Sequence, residues 1–316
     1  MKKLFVSIMA IAALAACSQE KVVEVPQDLS ISFDQTFVEG TYFTTKAAAE
    51  EPAISGFNVW GFMENTNGPM FEGDEVTYQD GKWSYENLQY WAPSQNYYFA
   101  AFAPMNSKNW ALSTKNANTY GPGVLSFTNV DGSEDLLYAA KSVTSPNAEV
   151  MAAVGMPSVE MTFGHLLSKV KFTFVNAFTT KNTSIVVKNI KMTAPAAGAI
   201  DLAVENWWDN DDWKLGSGTV GLAFGDVASM TNGASSTTAT ELMTIPADKS
   251  YVYNVTFTVE LYVGDNLATS VDKTVKLTDV ALNMGKGYNL RADITPENLN
   301  LLPIVFDVEE VKAWEY

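Results

Sequence analysis

The sequence predicts an all-β chain folded as two β-sandwiches in tandem, and three observations carry that expectation. Val, Thr, Phe, Tyr and Trp recur in short runs, the residue types that fit a pleated and half-buried surface, and aromatics make up 12% of the chain. Apolar and polar residues alternate with period two in many short segments separated by turn residues. At 316 residues the chain is about twice the length of a typical single domain. With 47% hydrophobic and 18% charged residues it has the composition of a packed protein, not of a disordered or coiled-coil one.

Residues 1–16 read as a signal. Lys2 and Lys3 form a basic start, Leu4 to Leu14 an apolar stretch too short to span a bilayer comfortably, and Ala15-Ala16 the small residues before a cut. Leu14-Ala15-Ala16-Cys17 has the form of a bacterial lipobox, in which Cys17 becomes the lipidated N-terminus. The alternative is an ordinary secretory signal that ends near a cysteine; Cys17 is the chain's single Cys, which favours lipidation, palmitate included. Removing Lys2 and Lys3 leaves 18 basic against 36 acidic side chains, a charge near −18 where the whole sequence has −16.

Residues 17–46 form a lipidated N-terminal segment with one strand. Ser18 to Asp28 is polar, and Ser30-Ile31-Ser32-Phe33-Asp34 alternates with Ile31 and Phe33 on one side. The stretch from Gly40 to Pro52 carries small residues and no strand pattern, an exposed region open to proteases.

A first sandwich is expected over 47–182. Its strands are Phe57 to Phe62, a hairpin of Val76 to Tyr78 with Gly81 to Tyr85 around Asp80-Gly81, and Tyr97 to Phe102, stopped by Pro104. Leu136 to Ala140, Met161 to Phe163 and Lys169 to Val175 follow. In the last of these Val170, Phe172 and Phe174 share one face, and Lys169, Lys171 and Thr173 the other. Asn176 to Ser184 reads as the linker, and only Gly164 to Ser168 hints at helix. The second sandwich, 183–316, has strand candidates at Ile185 to Met192, Ala199 to Val204, Val220 to Phe224, Glu241 to Ile245, Tyr251 to Val263, Thr274 to Leu277 and Tyr288 to Ile294.

The tail alternates again. Ile304, Phe306 and Val308 lie on one side, Val311 and Ala313 continue after a parity change at Glu309-Glu310, and Trp314 stands near the end. Such a strand either closes its own sandwich or fills a groove elsewhere.

Composition excludes several chemistries. An acidic chain repels phosphate backbones, so no nucleic-acid partner is expected. One His and one Cys supply no structural zinc set, and no metal or cofactor is expected. His165, in an apolar segment, reads as a hydrogen-bonded core residue. Asp209-Asn210-Asp211-Asp212 lacks the Gly and the later Glu of an EF-hand and reads as a solvated loop. Gly121-Pro122-Gly123 and Gly216-Ser217-Gly218 read as turns. No motif selects a catalytic pair, so no enzyme and no catalytic residue is expected.

The order of these pieces resembles the fimbrillins, or type V pilins, of Gram-negative gut and oral anaerobes, over nearly the whole chain. The resemblance rests on the lipobox at Cys17, the strand before Thr44-Thr45-Lys46-Ala47, and Phe57-Asn58-Val59-Trp60-Gly61-Phe62. It continues through Tyr97-Tyr98-Phe99-Ala100-Ala101-Phe102-Ala103-Pro104, Asp135-Leu136-Leu137-Tyr138-Ala139, Met161 to Val170, Gly287-Tyr288-Asn289-Leu290 and the Trp-containing tail. It implies two transthyretin-like β-sandwich domains and travel to the outer membrane as a lipoprotein. It further implies proteolytic loss of the N-terminal segment, then polymerisation into a cell-surface fimbrium by donor-strand exchange. On this sequence the removable strand is that of Ile31 and Phe33, the cut falls at Lys46-Ala47, and the donor strand carries Ile304, Phe306, Val308, Val311 and Trp314. The partners implied are copies of itself, other fimbrial subunits and a host glycan or protein receptor. One departure concerns the protease. Relatives of the best-known type are cut after Arg, whereas the one Arg here is Arg291, so Lys46 points to a trypsin-like or lysine-specific enzyme. The other readings are a fimbrial tip adhesin and a monomeric surface lipoprotein that binds glycan through Trp207, Trp208 and Trp213.

Overall fold

The structure, a computed structural model, describes residues 29–38, 54–113, 122–202 and 213–311, without the side chains of 34–38, 310 and 311. Its strands are β1 (Phe33–Val38), β2 (Gly56–Met63), β3 (Phe71–Gln79), β4 (Lys82–Ser84), β5 (Asn96–Ala103), β6 (Trp110–Ser113) and β7 (Val124–Thr128). After them come β8 (Leu137–Thr144), β9 (Val159–His165), β10 (Ser168–Asn176), β11 (Thr183–Pro195), β12 (Ala197–Asp201), β13 (Lys214–Leu215) and β14 (Thr219–Gly225). The remainder are β15 (Met230–Thr231), β16 (Ser235–Thr237), β17 (Leu242–Thr244), β18 (Tyr253–Val263), β19 (Asn266–Leu277), β20 (Gly287–Ile294) and β21 (Asp307–Val311). Two short helices, α1 (Ala148–Val154) and α2 (Pro296–Asn300), complete the described elements.

The fold is all-β, and the described residues form four sheets. One has seven strands in the order β1-β9-β8-β5-β2-β3-β4, and a second has the order β13-β12-β7-β6. A third runs β16-β10-β20-β21 with β17 also on β10, and a fourth runs β14-β11-β18-β19 with β15 also on β11. The third and fourth sheets pack face to face as a sandwich. Phe172, Phe174 and Leu290 from one meet Val187, Phe224, Val255 and Val259 from the other in a continuous buried cluster.

The seven-stranded sheet is buried on both faces at its centre. On β5, Tyr97, Phe99 and Ala101 join one cluster with Phe57, Phe71 and Phe163. Ala100 and Phe102 point the other way, toward Leu125, Phe127, Ile200 and Trp213 of the four-stranded sheet. That two-sided burial explains why Tyr97 to Phe102 is an unbroken apolar run without alternation. The hairpin of β3 and β4 turns at Asp80 and Gly81, with φ of 52° and 79°, the left-handed pair a tight two-residue turn requires.

Two expectations change. The division at residues 182 and 183 does not coincide with the sheets. β10 lies in the sandwich of β20, paired in parallel from Lys169↔Gly287 to Asn176↔Ile294, while β12 crosses back to pair with β7. The chain therefore changes sides at 166–168 and again at 196, and Asn176 to Ser184 only joins two sheets of one sandwich. The polar face of β10 is largely covered. Lys169 is buried against Glu241 at 2.9 Å, and Thr173 bonds Thr237 and Asn289, each at 2.8 Å. Gly164 to Ser168 is strand and turn. The helices lie at α1, where the Asn147 side chain accepts from the Val150 N–H, and at α2, where Thr295 and Asn298 cap each other and Pro296 starts the first turn. Both helices are too short to produce a hydrophobic period.

Candidate subunit-assembly site

Residues 29–33 lie between two backbone neighbours. On one side the Ile31 N–H donates to the Gln89 carbonyl at 2.8 Å, and the Trp91 N–H donates to the Leu29 carbonyl at 3.0 Å. On the other the Val159 N–H donates to the Ser32 carbonyl at 2.7 Å, and the Ser32 and Ser158 hydroxyls are 2.8 Å apart. The strand then continues as β1, parallel to β9 from Phe33↔Val159 to Val38↔Phe163, with a register irregularity between Asp34 and Phe37. β1 and β4, opposite ends of the seven-stranded order, approach each other here. The segment thus closes a gap between the ends of the sheet.

Its side chains fill the same gap. Ile31 is 1% exposed and Phe33 5%. The Phe33 ring meets Phe57, Phe71, Tyr85 and Phe99 edge-on, with centroids 5.7, 5.9, 5.9 and 6.0 Å away. Burial of Ile31 and Phe33 stabilises by about 1.5–3 kcal/mol each. The aromatic pairs add roughly 0.5–1.5 kcal/mol apiece.

The tail occupies a comparable seat in the other sandwich. Ile304 is 3% exposed and Phe306 7%. Phe306 lies edge-on to Phe172, Phe174 and Phe257 at 5.5, 5.8 and 6.0 Å. β21 pairs antiparallel with β20, from Gly287↔Val311 to Arg291↔Asp307, and forms the outer edge of its sheet. Val308 is 36% exposed, although the alternation of the sequence places it on the side of Ile304 and Phe306. Among the described side chains the core ends at Phe306, and β21 runs beyond it as an edge strand paired with β20.

The two segments share a pattern. Leu29, Ile31, Phe33, Asp34 and Val38 recur at the same spacing as Leu302, Ile304, Phe306, Asp307 and Val311. That repeat is the signal in the sequence for relating the two ends, and alternation alone does not reveal it. The seats differ in quality. Among the described residues, the first has backbone partners on both sides and four aromatic neighbours for its Phe; the second has a ladder on one side and three.

A family model described as Fimbrillin-like matches residues 42–310. The chain belongs to this family. A fimbrial protein of Bacteroides vulgatus has a similar structure, with a TM-score of 0.60 at 16% identity over 90% of this chain and 99% of that one. A proposed cell adhesion protein of Bacteroides uniformis scores 0.45 at 16% identity, over 90% and 98% of the two chains. The fimbrial anchor protein Mfa2 of Porphyromonas gingivalis scores 0.43 at 10% identity, over 90% and 97%. No curated protein matches the chain.

The other predicted positions of this fimbrillin-like chain fall as follows. Cys17, Lys46, Ala47, Trp207, Trp208, Asp209 to Asp212 and Trp314 lie outside the described residues, as does the side chain of Val311. Trp213 is buried, and its indole N–H donates to the Leu166 carbonyl at 3.1 Å, so it packs under the four-stranded sheet and offers no sugar platform. His165 is buried on β9, its Nδ1 3.0 Å from Asp135 Oδ1 and 2.9 Å from Oδ2.

Proposed function

We propose that this chain is a structural subunit of a surface fimbria, working without enzymatic chemistry and supporting adhesion. It is exported as an outer-membrane lipoprotein carrying lipid on Cys17, and a trypsin-like or lysine-specific protease cuts after Lys46. The segment with Ile31 and Phe33 then leaves with the lipid. The opened seat is refilled by the tail of the next subunit, a β-augmentation.

The observation that supports this reading is the buried, two-sided seat of Ile31 and Phe33, together with a tail that repeats the same residues at the same spacing. Because Ile304 and Phe306 already sit in their own core, moving them is an exchange and not a fresh burial. The driving force is the difference between seats. Each extra hydrogen bond contributes on the order of 0.5–1.5 kcal/mol net, and an extra aromatic contact a similar amount. Val308 adds whatever exposure it loses.

Limited trypsin digestion of the non-lipidated protein tests the reading. A cut at Lys46-Ala47 should be followed by oligomer ladders that survive mild detergent. Complete cleavage with the protein still monomeric would refute polymerisation by this route.

A further inference from the structure

We infer that β19 is a lateral docking edge for a second copy of this chain, paired antiparallel across a two-fold axis at Thr274. This contact is separate from the terminal strands and does not depend on them. β19 is a twelve-residue strand at the end of the fourth sheet, with only β18 beside it among the described residues. Its inner face is anchored, since Val271 and Val275 pack on the sandwich core. Ser270, Asp272, Thr274 and Lys276 alternate on the outer face and are exposed. An edge of this length ordinarily carries a proline, a mid-strand bulge, an inward-pointing charge or exposed charges to prevent pairing. β21 shows the last device, with Asp307, Glu309 and Glu310.

β19 lacks the first two over Thr269–Leu277. It contains no proline, and its register with β18 is regular except near the hairpin tip, between Leu261 and Tyr262. The inward-pointing charge that it does have, the ammonium of Lys273, is already satisfied within the chain, donating to the carbonyls of Asn298 and Leu299 at 2.9 and 2.7 Å. The outer charges are Asp272 and Lys276, two residues either side of Thr274.

The charge pattern fixes the partner and the register. In a sheet continued through a two-fold axis, residues on one face must meet residues of the same face. Pairing centred on Asp272 sets two carboxylates against each other, and pairing centred on Lys273 sets Lys273 against its own copy. Centring on Thr274 places Asp272 opposite Lys276 of the second copy, twice, with the two threonines facing at the axis. Opposite charges directly across a ladder stabilise it, and like charges destabilise it.

Cysteine trapping and charge exchange test this in the full chain carrying Cys17→Ser, which leaves the introduced thiol alone. Thr274→Cys should oxidise readily to a covalent dimer, because facing residues have Cα atoms about 4.5–5.5 Å apart, within disulfide reach. Asn266→Cys is the control, since in this register its two copies lie roughly 54 Å apart at about 3.4 Å per residue. By sedimentation, Asp272→Lys should weaken dimerisation about tenfold, and Asp272→Lys with Lys276→Asp should restore it. Equal crosslinking of the two cysteine variants, or a dimer indifferent to both charge changes, would overturn the assignment.

Discussion

The Tyr85 hydroxyl donates to the carbonyl of Ile31 at 2.5 Å, and its ring stands edge-on to Phe33 at 5.9 Å. One side chain therefore holds both the backbone and the aromatic anchor of the N-terminal strand. Tyr85→Phe keeps the ring contact and removes the hydrogen bond. A loss of about 0.5–1.5 kcal/mol is expected for the seated strand. In denaturant titration it should appear as a shifted midpoint with unchanged slope. Under proteolysis the segment should leave faster, by roughly two- to twelvefold at that free energy.

The tail separates into two parts by burial. Deleting residues 308–316 spares Ile304 and Phe306 and should leave the sandwich folded while preventing ladders. Deleting 304–316 also removes both core side chains, losses of the size of roughly 2–5 kcal/mol for an aliphatic and 3–5 kcal/mol for a Phe. Circular dichroism and thermal melting of the two truncations should differ sharply. Equal stability would mean that the tail does not close its own core.

Much of the fold was legible because it depends on local signals. Asp80-Gly81 specifies its hairpin, Pro104 ends β5, and β18 and β20 alternate cleanly. The mixing of sheets was not legible. Nothing local in Lys169 to Val175 says that its lysine face will be covered by Glu241, which stands just before β17 and far along the chain, or that β12 will cross to β7. At the candidate assembly site, alternation identified Ile31, Phe33, Ile304 and Phe306 as apolar-face residues. It could not tell that the last two are seated in their own sandwich, because period two reports which face is apolar and not which core receives it.

Glu241 gives a pH signature. Burial pushes its pKa up, but hydrogen bonds and charge from Lys169 and Lys171 outweigh that and hold the carboxyl below its ordinary 4.5. A depressed carboxylate adds stability above the unfolded value and loses it as pH falls through the folded one. The loss should therefore begin near pH 4.5 and continue below it. Since the carboxylate is about a third exposed, screening limits the effect to about 1 kcal/mol or less. Glu241→Gln should lower the melting temperature at pH 7 and flatten the decline on the acid side. Parallel melting curves against pH for the two proteins would contradict this.

The most direct measurement of strand replacement is amide hydrogen exchange along β9, the neighbour of the N-terminal strand. Residues 159–163 should be protected in the uncut protein, lose protection after cleavage at Lys46-Ala47 in the variant lacking 308–316, and regain it after the same cleavage in the protein with its full-length tail as oligomers form. Protection that persists through cleavage in the tail-less variant would show that the N-terminal strand never leaves its seat.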